Sequence, residues 1–163
     1  MGRLGVHFAL TPNDEMSLRT AKGDASVMAI VDEIESRWEK DHLAQSDKAW
    51  DAMHRCLSDG TLNPAGGAPP LHLAVLGGTS LYEGDDYIAC LLSPSQVQEV
   101  SRALTPLTEA WFRARYFKLD TDDYGMDLSE EDFQYTWESL QCVRSFFEKA
   151  ARDGRASLFT ADQ

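Results

Sequence analysis

Cysteine is scarce in this chain, and the three present, Cys56, Cys90 and Cys142, are widely spaced and odd in number. They do not make a disulfide framework, and buried thiols in a reducing cytoplasm are expected instead. No apolar run approaches the roughly 20 residues that a membrane-spanning helix needs. The N-terminus carries a single arginine and an apolar stretch too brief for a signal peptide, and Val6 stands where a myristoylation motif requires Ser or Thr. Basic residues are also in short supply: 15 Lys and Arg face 27 Asp and Glu, a formal net charge of −12. That balance argues against nucleic acid or an anionic membrane as a partner, and is compatible with a basic protein. Zinc-ligand spacings, a nucleophile elbow and the metalloprotease helix motif are all missing, so no metal and no cofactor is expected.

What is present is the make-up of an ordinary globule. The 163 residues are 43% hydrophobic and 26% charged, which fits one domain over 1–163. Three times the chain reads Leu, then Ser or Thr, then Pro: Leu10-Thr11-Pro12, Leu92-Ser93-Pro94 and Leu104-Thr105-Pro106. A hydroxyl that accepts an orphan backbone N–H, followed by a proline that has none to lose, predicts a helix start. At Ser93 the signal includes Gln96 as a capping box and a Leu92–Val97 staple.

Periodicity supplies the other elements. Arg3 to Leu10 reads as a strand, and Val27, Ile30, Val31, Ile34 and Trp38 mark an amphipathic helix that Asp24 or Ser26 caps. A helix is expected from about Ser46 or Asp47 to Asp59, stopped by Gly60, with a loop over 61–70. Leu71–Leu76 and Tyr87–Leu92 read as buried strands, with Gly77-Gly78 as a tight exit from the first. Two helices separated at Thr105-Pro106 follow, then a long one from the Ser129 cap to Asp153-Gly154, and a short closing strand at Ala156–Thr160. The irregular alternation predicts an α+β fold: a small, mostly antiparallel sheet packed against about six helices.

Two groups of residues carry candidate chemistry. Trp50, Met53, His54 and Leu57 share one face of a helix. His54 is therefore either a pocket group able to act as a base or bind a ligand, with Trp50, Tyr82 and Tyr87 beside it, or a core histidine bonded to a neighbouring strand. Cys56, two residues on, points away from it, so the two form no dyad.

The second group is acidic. Residues 119–143 hold eight carboxylates and no lysine or arginine. Read as a calcium loop from Asp120, they place Tyr124 where an oxygen ligand belongs and Asp127 where an apolar residue belongs, so that reading fails. Glu130, Glu131 and Asp132 complement the dipole of the last helix. Asp120, Asp122, Asp123, Asp127 and Glu131 remain as a surface for a basic partner.

The motifs together resemble the YfbM-like family of bacterial proteins, a domain of unknown function. The resemblance rests on Gly2-Arg3-Leu4-Gly5-Val6-His7-Phe8 leading into Leu10-Thr11-Pro12, and on Asp47-Lys48-Ala49-Trp50 with His54. Leu76-Gly77-Gly78, Leu92-Ser93-Pro94 with Gln96-Val97, and Phe146-Phe147 followed by Ala150-Ala151, Gly154 and Ala156 complete it. It implies a single cytoplasmic α+β domain and brings no catalytic residues. The expected function is a non-catalytic binding module that recognises a protein through its acidic surface, an immunity- or antitoxin-like role being compatible. The alternative is a small-molecule-binding protein or enzyme with a pocket around Trp50 and His54. A homo-oligomer is open to the chain if its N-terminal strand lies at a sheet edge.

Overall fold

The structure, a computed structural model, describes residues 4–162, so the expected strand start at Arg3 lies outside the described residues. Five strands form one antiparallel sheet: β1 (Gly5–Leu10), β2 (Leu43–Asp47), β3 (Thr79–Ser80), β4 (Tyr87–Leu92) and β5 (Ala156–Asp162), in the order β2-β1-β5-β4-β3. Seven helices accompany them among the described residues: α1 (Pro12–Thr20), α2 (Asp24–Arg37), α3 (Trp50–Leu57), α4 (Pro94–Leu104), α5 (Glu109–Tyr116), α6 (Thr121–Tyr124) and α7 (Glu130–Arg152). The fold is α+β, as the sequence predicts.

Alternation along the strands divides the core in two. Phe8, Leu10, Ala89, Leu91, Ala156 and Leu158 face α1 and α2, where Leu18, Val27, Val31 and Ile34 meet them. Cys90, Leu92, Phe159 and Ala161 face the larger layer built from α3, α4, α5 and α7. Both faces of the sheet are covered, which is why β5 is buried at six consecutive residues and shows no polar alternation. The expected short closing strand is the centre of the sheet, with Leu158 opposite Phe8 and Phe159 opposite Cys90. The N-terminal strand is not at an edge either, since β2 and β5 flank it. The edge positions belong to β2 and β3.

Two of the three Leu-Ser/Thr-Pro signals start helices. Thr11 accepts the Asp14 N–H at 3.1 Å, and Ser93 and Gln96 exchange both bonds of a capping box. The third is a stop: Thr105 closes α4 and bonds back to the Ser101 carbonyl, while Thr108 caps α5 by accepting the Trp111 N–H. Pro106 lacks the N–H that would continue α4. Asp24 does not cap α2 from outside; Gly23 holds the cap position. The Asp24 carboxylate accepts instead the backbone N–H groups of Glu83 and Gly84 across the chain.

Two expected elements change type. The first part of the predicted helix from Ser46 is strand β2, and α3 begins only at Trp50. Leu43-Ala44-Gln45-Ser46 has little intrinsic strand preference, and pairing with β1 decides its conformation. Leu71–Leu76 is a 3-10 turn over Leu71–Leu73 followed by irregular chain, buried like a strand but outside the sheet. Side chains replace its missing ladder: the His7 Nε2–H donates to the Ala74 carbonyl at 2.7 Å, and the Cys90 thiol to that of Leu76 at 3.4 Å. Gly78 leaves the segment at φ +95°, where a Cβ would lie 2.6 Å from the Leu91 carbonyl oxygen, so the expected tight glycine exit is there.

Candidate functional site

The C-terminal end of α3 and the α5–α6 junction enclose an open cleft of about 780 Å3, lined among others by Arg55, Asp59, Asn63, Lys118, Asp120 and Asp123. Its wall is built around Arg55, which the apolar stripe of α3 hides from a sequence reader. Arg55 is 4% exposed, with Nε donating to Asp51 at 2.7 Å and the two terminal nitrogens to the Asp123 carboxylate and carbonyl. Burial works against the cation, and the hydrogen bonds to the two aspartates outweigh it, so its pKa lies above the ordinary arginine value. The signal that could have found half of this cluster is the i, i+4 spacing of Asp51 and Arg55. Asp123, 68 residues away, could not be seen in that way.

His54 sits one residue earlier, 1% exposed, and is enclosed rather than pocket-lining. Its Nε2 lies 3.0 Å from the Asn63 carbonyl, which can only accept, so this nitrogen carries the proton. Desolvation lowers its pKa, and the ring is neutral near pH 7. The partner is a loop carbonyl and not a strand. With Arg115, which donates to the carbonyls of Cys56 and Ser58, His54 secures the chain as it leaves α3.

The acidic segment is divided in its roles. Asp120 caps α6 by accepting the N–H groups of Asp122 and Asp123. Asp132 accepts hydroxyl bonds from Tyr116 and Tyr124, at 2.5 and 2.8 Å, which ties α6 against α5 and α7. Burial, and then this shared carboxylate, raise both tyrosine pKa values, so both hydroxyls stay protonated near neutrality. Glu130 pairs with Arg113. Asp122, Asp127 and Glu131 are exposed and make no ion pair among the described residues. No group of three or more His, Cys, Asp or Glu is gathered for a metal among the described residues.

The residues expected to share a pocket are not brought together. Trp50 is 3% exposed, with its ring 5.9 Å from that of Phe159 on the α3–α7 side of the sheet. Tyr82 and Tyr87 pack against the core on the other side, 5.8 Å apart edge to face. Their hydroxyls donate to Asp86 and Glu35. The sheet separates these tyrosines from His54. The cleft instead brings Arg55 to Asp120 and Asp123, joining the end of the helix stripe to the acidic segment.

A model of the family described as domain of unknown function (DUF1877) matches residues 1–160. The fold is similar to the crystal structure of YfbM from Escherichia coli, a protein of unknown function. Sequence identity is 21% and the TM-score 0.69, over 97% of this chain and 99% of that one. At that identity the likeness concerns the fold alone. No curated protein matches the sequence.

Proposed function

Because the chain belongs to the DUF1877 family, whose description carries no activity, we propose its function from geometry: a non-catalytic cytoplasmic binding protein that recognises a basic protein through the acidic end formed by α6 and the start of α7. The observation that carries this reading is the division of labour among the acids. Asp123, Asp132 and Glu130 have internal partners, whereas Asp122, Asp127 and Glu131 are exposed and unpaired among the described residues. Arg55 holds Asp123 and Asp132 holds Tyr124, which fixes α6 beneath Asp122, while Glu131 stands on the first turn of α7. Preorganised charge of this kind accelerates encounter and selects the sign of the partner. Asp59 and Asp120, on the neighbouring cleft, extend the acidic surface beyond α6.

No helix among the described residues is long and apolar enough to cross a membrane. The chain's charge of −12 sets the sign of the expected partner. An immunity- or antitoxin-like role, in which an acidic protein covers a basic effector, is compatible with the same surface.

The test is affinity capture from the source organism with two baits: the parent, and a variant carrying Asp122→Asn, Asp127→Asn and Glu131→Gln. Asp123 is left unchanged, since neutralising it would disturb Arg55. The expected result is one stoichiometric basic protein on the parent bait, released by moderate salt and lost from the variant. Equal capture by both baits, or a partner insensitive to salt, would refute the reading.

A further inference from the structure

A second cavity, of about 190 Å3, lies on the sheet flank between α7 and the 3-10 turn Lys40–His42. Its floor is apolar, formed by Ala9, Leu43, Phe146 and Ala150. Asp41, Lys149 and Cys142 stand among its polar lining, with His42 and Ser145 completing it. An apolar cavity of about 150 Å3 is enough to hold a benzene ring, so the floor has room for a branched aliphatic group of three or four carbons.

The lysine and the aspartate of this lining form no direct ion pair among the described residues. Lys149 donates to the backbone carbonyl of Asp41 at 2.7 Å, not to its carboxylate. That carboxylate makes no ion pair among the described residues. A lysine, an aspartate and an apolar floor lining one small space are complementary to a molecule with one charge of each sign and a short hydrocarbon body. Bound small molecules are characteristically held in this way, by an apolar surround and a few polar groups that fix orientation.

We propose that this cavity is a binding site for a free aliphatic amino acid of leucine or valine size, its carboxylate on Lys149, its ammonium on Asp41 and its side chain on Leu43, Phe146 and Ala150. The site is independent of the acidic surface, and either can fail without the other.

Cys142 provides the readout. It is exposed at the cavity, whereas Cys56 and Cys90 are buried and burial pushes each of their thiols up to about 12. Iodoacetamide therefore alkylates Cys142 alone in the folded protein. The rate is measured by mass spectrometry on the full chain with millimolar L-leucine, glycine, leucinamide or 4-methylpentanoate. Leucine is expected to slow alkylation about threefold or more and to saturate, as a weak site for a nine-atom ligand would. Leucinamide lacks the carboxylate, 4-methylpentanoate the ammonium and glycine the hydrocarbon body, and each is expected to protect at least about tenfold less well. Lys149→Met and Asp41→Asn, both away from the buried core, are expected to abolish protection while thermal unfolding is unchanged. Absence of protection by leucine, equal protection by a singly charged analogue or glycine, or undiminished protection in the variants would overturn the proposal.

Discussion

Acidification should weaken this protein through one buried ring. His7 is 1% exposed, packed against Phe146, Phe147 and Phe159 with ring centroids 4.8–5.6 Å away. Burial lowers its pKa from 6.5 to about 4, the bond to the Ala74 carbonyl opposing that only in part. The folded state therefore resists a proton that the unfolded chain accepts. The stability contributed by a neutral His7 is complete above pH 6.5 and is lost as pH falls toward 4. At about 1.4 kcal/mol per unit, the loss between pH 7.5 and pH 5 is about 2 kcal/mol, a large share of a typical folding free energy. For a urea slope of about 2 kcal/mol/M the midpoint moves by about 1 M. Urea unfolding at both pH values, for the parent and for His7→Gln, isolates the ring from every other titrating group. The variant starts less stable, but its loss between the two pH values should be smaller than the parent's by about 2 kcal/mol. If both proteins lose the same amount, His7 is not the buried neutral base described here.

Three further outcomes follow from the packing. Arg55→Leu leaves Asp51 and Asp123 without their cation and should cost about 2–4 kcal/mol in urea unfolding. Amide exchange should rise in 121–125, and Arg55→Lys should recover less than half of the loss, because one ammonium cannot reproduce the guanidinium's separate bonds. Among the three thiols, a chromogenic disulfide reagent should count one in the native protein and three after denaturation, and two fast-reacting native thiols would contradict the burial of Cys56 and Cys90. Leu158→Ala, at a fully buried position in the central strand, should cost about 3 kcal/mol and lower Tm by about 10 °C. A change under 2 °C would show that this face of the sheet repacks freely.

Local chemistry determined much of the architecture. A hydroxyl before proline identifies the starts of α1 and α4, because the capping bond and the missing N–H act within one turn. The apolar stripes of α2 and α7 are legible for the same reason, since a helix face repeats every three to four residues. Leu104-Thr105-Pro106 shows the limit: the same tripeptide ends one helix, because proline fits a helix start and also blocks a continuation. The candidate residues were legible as types but not as neighbours. His54 was marked by its place in an apolar face, and which carbonyl would take its proton depended on the path of the loop to Asn63.

What only the tertiary structure decided are the outcomes of long-range competition. Leu71–Leu76, expected as a strand, and Ser46-Asp47, expected at a helix start, both depart from expectation because sheet pairing and buried side-chain donors, not propensity, satisfy their backbones. Asp123 could be counted from the sequence as one of many solvated acids, yet folding seats it on a buried arginine 68 residues away. The sheet also separates Tyr82 and Tyr87 from Trp50 and His54, which sequence alone could not do. Periodicity reports which side of an element is buried. Which element covers that side depends on the order in which the strands pair, and here that order places the last strand at the centre.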